Sequence, residues 1–441
     1  MDRARWGSDL GFILAATGSA VGLGAIWKFP YVTAHQGGGA FLLLFIVLTL
    51  TIGLALLRAE MAIGRAGSAG AFGAYRKLGG KGWALVGLLG VVAGCTVLSY
   101  YSVVGGWTIA YAWQTVTTPL TRDPAILRAN FQSLSQHPWQ PLFYHALFML
   151  ATLGCVAGGV QGGIEKLAKF LMPCLFVMMC ILIVRGLLLP GSWEGVLRFI
   201  VPDFSRLDMG AVLDALGLSF WTLSLALGIM VTYGSYLPPE ANLSGAARTV
   251  AQLTLLSCIL GGLLVLPPAY AMHLDEGAGP GLTFVTMPVV FAHLPWGNAF
   301  GAIFFALLFV AALTSSISLL EVGVAFLIEH AGMKRRGATW LAAAALFLMG
   351  SLASLSLGDR PYLQWGGISV FDWLDRSASL VMLPAGGLMT GLFAAWRIWP
   401  LMQRQWGRDG SDTAGDRWRR VLVGVLAPLA IGIILWQGLS A

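Results

Sequence analysis

The segment 6–41 is strongly apolar, yet an uninterrupted membrane helix does not explain it. Gly18, Gly22 and Gly24 fall close together in this segment, and Pro30 follows them. Each glycine inside a helix costs about 1 kcal/mol relative to alanine, and backbone groups released in hydrocarbon need another partner. Interrupted membrane helices use such amides and carbonyls as ligands for anions and cations. The alternative is close helix packing through a small-xxx-small pattern at Gly18 and Gly22.

The composition indicates a multi-pass membrane protein. Of the 441 residues, 57% are hydrophobic and 11% are charged, whereas soluble domains carry about 25% charged residues. The five cysteines lie in apolar runs without metal-ligand spacing and imply no disulfide framework. Apolar runs of about 20 residues predict eleven spans, at 8–33, 39–65, 83–117, 142–161, 168–190, 209–237, 247–273, 297–329, 338–357, 369–397 and 418–438.

The distribution of positive charge predicts the orientation of these spans. Most of the 27 lysines and arginines lie in loops on one side of the membrane if the N-terminus is cytoplasmic. The positive-inside rule then places the C-terminus outside after eleven crossings. We expect no cleavable signal peptide, because the first span follows almost directly on the N-terminus. The net charge of +7 therefore reflects membrane orientation rather than nucleic-acid binding.

Two connections between spans are long enough to be structured. The first is 119–141, and the second is 274–296. The second is apolar and broken by prolines, which favours either a cap over an external vestibule or an interfacial loop.

The sixth predicted span contains a second candidate interruption. Thr222 and Ser224 lie at mid-depth in this span, and Gly228 follows them. If the first ten spans form two repeats of five, spans one and six occupy corresponding places. Paired interruptions at matching positions point to the binding site of a transporter.

Several motifs occur in a characteristic order: GSAVGLGAIWKFPY and QGGGAF near the first span, AEMAIGR ending the second, FWTLSLALG and TYGSYL in the sixth, and ALTSSISLLE in the eighth. Together they resemble the neurotransmitter:sodium symporter family, most closely its bacterial amino-acid transporters. The resemblance implies an all-α polytopic membrane protein with the LeuT-type 5+5 inverted repeat, broken helices 1 and 6, and eleven transmembrane helices. Residues 1–190 would form the first repeat, 191–400 the second, and 401–441 an additional span with a short C-terminus.

The resemblance also implies one sodium site between the first and eighth spans. Its ligands would be the carbonyls of Gly18, Val21 and Ala311 and the hydroxyls of Thr314 and Ser315. Five oxygen atoms suit a hard cation. Taken without the resemblance, Thr314 and Ser315 are as readily interpreted as bonding to carbonyls of their own helix.

Two ion sites of the family lack matching side chains in this chain. The other sodium site of the family uses two side-chain amides, and the matching positions here are Ala25 and Leu253. If the register of the seventh span shifts by one residue, Thr254 takes the place of Leu253. The positions that hold chloride are Phe45, Leu218, Thr222 and Ser257. We therefore expect one Na⁺ per substrate and no chloride.

The substrate site is expected at the two interruptions. The resemblance assigns a carboxylate to the amides of Leu23 and Gly24 and the hydroxyl of Tyr101. An ammonium group would meet Ser224 and the carbonyls of Ala20, Trp221 and Thr222. The side-chain pocket would be lined by Val97, Trp221, Leu227, Ser316 and Leu319. Monoamine carriers have an aspartate at the position of Gly22, so its absence favours an amino acid.

Ion pairs of the family's gates have matching positions here. Lys28 and Asp375 correspond to the outer pair, with lysine instead of the usual arginine and therefore a looser contact. Arg3 and Glu329 correspond to the inner pair, with Trp6 and Tyr236 packing nearby. The alternative for Arg3 is an anchor on the cytoplasmic membrane face.

Charged residues within predicted spans suggest functional roles. The resemblance makes Glu60 an acceptor for the unwound backbone of the sixth span. A proton-linked role for Glu321 or Glu60 is a further hypothesis, and the sequence assigns no role to Arg58.

The sequence therefore predicts a sodium-coupled secondary active symporter that imports an amino acid by alternating access across the bacterial inner membrane. The alternatives are a carrier of a related small amine or organic solute with altered, including proton-linked, coupling, and a non-transporting amino-acid sensor. No nucleophile, base and metal constellation indicates an enzyme. Its expected partners are the small-molecule substrate and the lipid bilayer, without nucleic acid, and the chain would be a monomer or a weak homodimer.

Overall fold

The structure is a computed structural model that describes residues 4–274, 282–358, 360–406 and 414–440. It is almost entirely helical in these ranges. One small hairpin pairs β1 (Gln364–Trp365) with β2 (Ile368–Ser369) in antiparallel register. Short 3₁₀ turns occupy Phe204–Arg206 and Pro361–Leu363.

The first half of the chain forms nine helices. They are α1 (Asp9–Ala20), α2 (Gly24–His35), α3 (Gly39–Gly67), α4 (Ala71–Gly79), α5 (Ala84–Thr117), α6 (Pro124–Gln136), α7 (Gln140–Ala157), α8 (Val160–Leu187) and α9 (Ser192–Ile200).

The second half also forms nine helices. They are α10 (Met209–Thr222), α11 (Ile229–Gly234), α12 (Leu243–Ala271), α13 (Thr283–Ala292), α14 (Gly297–Ala331), α15 (Arg335–Leu355), α16 (Val370–Arg397), α17 (Trp399–Gln405) and α18 (Gly415–Leu439).

The described residues contain nine helices that are individually long and apolar enough to cross a membrane. The pair α1 and α2 passes the same test when taken together, with a bend of 51° between the two helices. This arrangement agrees with a multi-pass membrane protein. The predicted sixth span is divided between α10, of 14 residues, and α11, of 6 residues, so the count of eleven spans stays a prediction.

The first bend occurs where the glycines accumulate. α1 ends at Ala20, and the amide of Val21 donates to the Thr17 carbonyl at 2.7 Å. The chain resumes as a helix at Gly24. Between these points the amide of Leu23 donates to the hydroxyl of Tyr101 on α5 at 3.2 Å, so a neighbouring helix supplies a partner that α1 itself does not.

The second interruption, 223–228, is longer and more irregular. Ser224 and Ala226 have φ angles of +54° and +62°, and Gly228 follows with +70°. Left-handed conformations at non-glycine residues are unfavourable. Hydrogen bonds with Ser19 of α1 and Glu60 of α3 stabilise this segment.

α5 and α14 form the most enclosed part of the bundle, with 34 and 35 residues respectively. Both pass beside the two interruptions. Tyr101 of α5 and Ser315 of α14 approach the first interruption directly. Long, rigid helices thus position polar side chains at the irregular backbone.

The two long connections are structured where the structure describes them. Residues 119–141 contain α6, and α13 lies in the second connection. Phe284 of α13 is fully buried and packs against Tyr111 and Phe131, with ring centroids 5.1 and 5.4 Å apart. This part of the connection folds into the protein. Residues 275–281, which the sequence assigned to the same cap, lie outside the described residues.

Candidate substrate and cation site

A cavity of about 30 Å³ lies where the two interruptions meet. α1, α2, α5, α10, α11 and α14 and the irregular segments between them all contribute to its wall. Its lining residues are Ser19, Ala20, Gly22, Leu23, Gly24, Val97, Tyr101, Trp221, Ser224, Leu227, Ile229, Ser315 and Leu319.

Most of the residues predicted for the substrate site line this cavity, but Thr222 and Ser316 do not. The hydroxyl of Thr222 donates to the Leu218 carbonyl of its own helix at 2.8 Å. The hydroxyl of Ser316 points to Thr152 on α7, with 2.8 Å between the oxygens. Both hydroxyls are therefore used elsewhere in the structure.

Three lining residues were missed by the sequence reasoning: Ser19, Gly22 and Ile229. Gly22 had a signal, because it belongs to the glycine group that marks the first interruption. Ser19 and Ile229 carry no pattern of their own and were found only from the structure.

Close backbone approach explains the glycines of the first interruption. A Cβ atom on Gly22 would lie 2.5 Å from Ser315 Oγ and 2.9 Å from Tyr101 Oη. A Cβ atom on Gly24 would lie 2.6 Å from Trp221 Cδ1. Any side chain at either position would displace a residue that lines the cavity.

Hydrogen bonds between Ser19 and Ser224 join the two interruptions. The Ser19 hydroxyl donates to Ser224 Oγ at 3.1 Å, and the Ser224 hydroxyl donates to the Ser19 carbonyl at 3.0 Å. Ser224 is one of the two non-glycine residues with positive φ in the second interruption. Its strained backbone is thus stabilised by the end of α1.

Oxygen atoms of α1 and α14 converge beside the cavity. The Ser315 hydroxyl donates to the carbonyls of Ser19 at 3.0 Å and Gly18 at 3.4 Å. The Thr314 hydroxyl donates to the carbonyls of Ala311 at 3.1 Å and Val310 at 3.2 Å, both on its own helix. A Cβ atom on Gly18 would lie 3.1 Å from Thr314 Cβ, so the two helices touch here. The donor set is made only of hydroxyl and carbonyl oxygens, which suits Na⁺.

Val21, the remaining predicted ligand, lies directly after α1. Gly18, Ala311, Thr314 and Ser315 are brought together by the contacts above. Ser19, whose carbonyl is the shorter acceptor for Ser315, was not predicted at this place.

The positions of the family's other ions are packed or internally bonded. Ala25 is fully buried, and a Cβ atom on Gly261 of α12 would overlap the Ala25 carbonyl oxygen. The hydroxyls of Thr254 and Ser257 each donate at 2.8 Å to a carbonyl of their own helix. Phe45 packs against Phe29 with ring centroids 5.0 Å apart.

A buried carboxylate contacts the second interruption. Glu60 on α3 is 2% exposed, and the amide of Ala226 donates to its Oε1 at 2.7 Å. Ala226 is the other non-glycine residue with positive φ in this segment. Glu60 therefore gives a hydrogen-bond partner to backbone that has left the helix.

The expected outer ion pair does not form in this structure, although both residues are described. Lys28 Nζ lies over the Trp221 ring, 5.3 Å from its centroid, and no ion pair within 4.0 Å joins it to Asp375. Asp375 instead accepts a hydrogen bond from Ser379 at 3.3 Å. The Lys28 ammonium therefore has a cation–π contact with a residue that lines the cavity.

The inner gate residues are described only in part, since Arg3 lies outside the described residues. Glu329 accepts hydrogen bonds from the amide of Gly70, the closer at 2.8 Å. The indole N–H of Trp6 donates to the Tyr233 carbonyl at 3.0 Å, and its ring lies 6.3 Å from that of Tyr236.

Glu321 has partners that the sequence did not reveal. Its Oε2 lies 2.5 Å from Nη2 of Arg335, and its Oε1 accepts a hydrogen bond from Tyr236 at 2.8 Å. Nothing in the local sequence of Arg335 indicates a buried carboxylate partner.

The geometry defines a class: a helical, multi-pass membrane protein whose central cavity and candidate cation site lie where two helical stretches are interrupted. Comparison with known proteins gives the particular family. The model of the sodium:neurotransmitter symporter family matches residues 3–132 and 127–403. This chain belongs to the sodium:neurotransmitter symporter family, a family of sodium-dependent transporters, and the resemblance predicted from its motifs is confirmed.

Relatives of known sequence and structure cover nearly the whole chain. An uncharacterized sodium-dependent transporter, YhdH of Bacillus subtilis, is 38% identical over 98% of this chain and 96% of its own. A second such transporter, from Haemophilus influenzae, is 34% identical over 89% of each chain. The crystal structure of MhsT in complex with L-phenylalanine superposes with a TM-score of 0.90, at 38% identity, over 99% of this chain and 100% of that one.

Proposed function

We propose that this protein is a symporter that imports an amino acid together with one Na⁺, without chloride, by alternating access. The observation that carries the proposal is the convergence of two interrupted helices on one cavity beside an oxygen-only cation site. α1 and α2 would be the two halves of one membrane span, and α10 and α11 those of another. With these two, the span count becomes eleven.

An amino-acid substrate is supported by the chemistry of the cavity wall. The first interruption offers the backbone of Leu23 and Gly24 and the hydroxyl of Tyr101 to a carboxylate. The carbonyls near Ala20 and the hydroxyl of Ser224 suit an ammonium group. Val97, Leu227, Ile229 and Leu319 make the remaining wall apolar. Because MhsT binds L-phenylalanine in its crystal structure, we infer an apolar side chain for the substrate.

The size of the cavity supports a gating role for Trp221. The cavity is small, about 30 Å³, and Trp221 forms part of its wall. Trp221 lines both this cavity and a crevice of about 310 Å³ that also contains Lys28 and Asp214. Displacement of the Trp221 ring would join the two spaces and admit a substrate from the crevice.

Coupling would arise because the cation site joins a mobile half-helix to a rigid helix. Na⁺ held between the end of α1 and Ser315 of α14 favours the conformation in which they touch. An ion shifts a conformational equilibrium only by its differential affinity for the two states. Release of Na⁺ would therefore allow α1 to move away from α14 and open the cavity on the side of the N-terminus.

A single Na⁺ and no chloride are supported by the opposite side of α2. Ala25 offers no side-chain oxygen and packs on α12, and the hydroxyls of Thr254 and Ser257 bond to their own helix. The outer pair of Lys28 and Asp375, and the inner pair of Arg3 and Glu329, would form in other conformations of the cycle. The N-terminus would be cytoplasmic and the C-terminus outside, as the positive-inside rule predicts.

Uptake into proteoliposomes tests this function. We expect an inward Na⁺ gradient to drive accumulation of a labelled apolar amino acid, and K⁺ substituted for Na⁺ to abolish it. Replacement of chloride by gluconate should leave uptake unchanged. Ligand binding without accumulation would indicate a sensor instead, and accumulation driven by a pH gradient alone would indicate proton coupling.

A further inference from the structure

Glu165, in the first turns of α8, holds the chain that leads into α1. Its side chain is nearly buried, and its carboxylate accepts hydrogen bonds from the amide of Gly7 at 2.7 Å and the hydroxyl of Ser8 at 2.9 Å. Lys169, one turn later on α8, lies 2.7 Å from Oε1. The carboxylate therefore links two segments that are far apart in sequence.

The shape of α1 fits this carboxylate closely. Ser8 caps α1, since its Oγ accepts from the amide of Gly11 at 3.0 Å while its hydroxyl donates to Glu165. A Cβ atom on Gly11 would overlap the carboxyl group of Glu165. The positive end of the α1 dipole also faces this carboxylate. Three independent features thus match one side chain.

The same two helices touch again two turns further on. A Cβ atom on Gly18 would lie 3.1 Å from Sδ of Met172 on α8. The two contacts, Gly11 with Glu165 and Gly18 with Met172, are separated by seven residues on each helix. α1 and α8 therefore run parallel between Glu165 and the cation site at Gly18, so movement at one end is transmitted to the other.

The chain immediately before Glu165 is rich in glycine. Gly158, Gly159, Gly162 and Gly163 precede it, and Gly159 has a φ angle of +84°. Residues 160–165 form a π-helical turn, and a Cβ atom on Gly162 would meet no atom within 4 Å. Val160 and Ile164 are buried and Gly163 packs against the Cys155 carbonyl, but the glycines leave the backbone itself free to change conformation. The contacts of Glu165 therefore contribute to the order of this turn as well as of α1.

We infer that Glu165 is a positioning residue that latches the cytoplasmic end of α1 to α8, so that breaking its contacts with Gly7 and Ser8 releases α1 and opens the cation site. This inference rests on the proposed function, which makes movement of α1 a step of transport. The latch itself concerns only the two helices and is measurable without substrate.

The variant Glu165→Gln tests the latch with almost no change of shape. Glutamine replaces one of two acceptor oxygens with an N–H donor, which then faces either Gly7 or the pair Ser8 and Lys169. In hydrogen exchange of the purified full chain, we expect residues 7–12 and 160–165 to exchange about tenfold faster, as for a lost hydrogen bond to a charged group. Gly11→Ala should have the same local effect by displacing the carboxylate.

Lys169→Met is the matched control, because it keeps both acceptor oxygens and removes only a lysine that is 42% exposed. We expect it to change exchange of residues 7–12 less than Glu165→Gln does, because the hydrogen bonds to Gly7 and Ser8 remain. In proteoliposomes, Glu165→Gln should raise the Na⁺ concentration for half-maximal uptake, at most by the factor by which hydrogen exchange accelerates. Glu165→Asp keeps the carboxylate and should show a smaller increase in this Na⁺ concentration.

Two results would overturn the latch. One is unchanged exchange of residues 7–12 in both Glu165→Gln and Gly11→Ala. The other is a uniform increase that includes α5 and α14, because this would make Glu165 a general stabilising residue. Neither depends on which solute is transported, so failure of the proposed function and failure of the latch are distinguishable.

Discussion

The two sides of the first interrupted helix differ in how neighbouring hydroxyl groups are used. Toward α14, Ser315 donates across the helix interface to the carbonyls of Ser19 and Gly18. Toward α12, Thr254 and Ser257 donate back to carbonyls of their own helix. Both sides contain threonine and serine, but only one side presents oxygen atoms from two helices at the same place.

This difference teaches that the kind of residue does not define a cation site. Thr314 also donates to carbonyls of its own helix, as hydroxyls in helices commonly do, so such a bond does not by itself exclude a ligand. Ser315, in contrast, reaches carbonyls at the end of α1 that have left the regular helix. Hydroxyl and carbonyl oxygens from two helices can then serve together as ligands of one cation.

Removal of the hydroxyls of Thr314 and Ser315 should have the largest effect. For Thr314→Val with Ser315→Ala we expect the Na⁺ concentration for half-maximal uptake to rise about 100-fold, taking about tenfold for each lost ligand to a charged group. Sodium-dependent uptake in proteoliposomes measures it. Ser257→Ala on α12 is the control and should leave the sodium dependence unchanged. Equal effects of both variants would remove the distinction between the two sides.

A methyl group on Gly24 should obstruct the site from the side of the first interruption. Gly24→Ala forces the Trp221 ring to move, because the added Cβ would lie 2.6 Å from its Cδ1. Overpacking of this kind costs about 1–3 kcal/mol, so we expect about tenfold weaker substrate binding by ligand-induced thermal stabilisation. Gly217→Ala on α10 meets no atom within 4 Å and should bind as the wild type does. Wild-type affinity in Gly24→Ala would contradict the placement of Trp221.

The outer end of α2 should show a smaller effect. Lys28→Met removes a cation–π contact with Trp221, worth about 0.5–1 kcal/mol at a partly exposed site, which is a change of about two- to fivefold in substrate affinity. Because Lys28 and Asp375 form no ion pair within 4.0 Å here, a double-mutant cycle with Asp375→Asn should give a coupling energy below about 0.5 kcal/mol in substrate binding. A larger coupling energy would mean that the pair contributes to the bound state.

The smallest expected effect concerns the side facing α12. With one Na⁺ per cycle, the sodium dependence of uptake should have a Hill coefficient of about 1, since the coefficient is limited by the number of coupled sites. Ala25→Asp should not create a second sodium-binding step. The backbone carbonyl of residue 25 packs directly against Gly261 of α12, which leaves no room for an ion between them. A coefficient clearly above this value in the wild type would show that α12 supplies a second ion site.

Local residue patterns were sufficient to locate the irregular backbone. The glycines of the first span and the Thr222-to-Gly228 stretch of the sixth are unfavourable in continuous helices, and the chain leaves regular α-helix at both places. Nine of the residues proposed to bind substrate line the cavity. The exceptions, Thr222 and Ser316, are hydroxyl residues whose partner depends on side-chain direction, which a linear motif does not give.

Contacts between different helices were not accessible in the same way. The Lys28 ammonium lies over Trp221 instead of Asp375, and Glu321 is paired with Arg335. Glu165 reaches Gly7 and Ser8 across more than 150 residues. A charge has many partners of similar energy within reach, and only packing decides which of them it meets.

The sequence by itself determined that the chain is a helical membrane protein of this transporter family, because hydropathy, glycine placement and ordered motifs are local properties. The tertiary structure decided which hydroxyls point toward freed carbonyls, which carboxylate holds each irregular segment, and how closely α1 approaches α8 and α14. These depend on helix rotation and on distances of a few ångströms, to which hydrogen bonds are steeply sensitive.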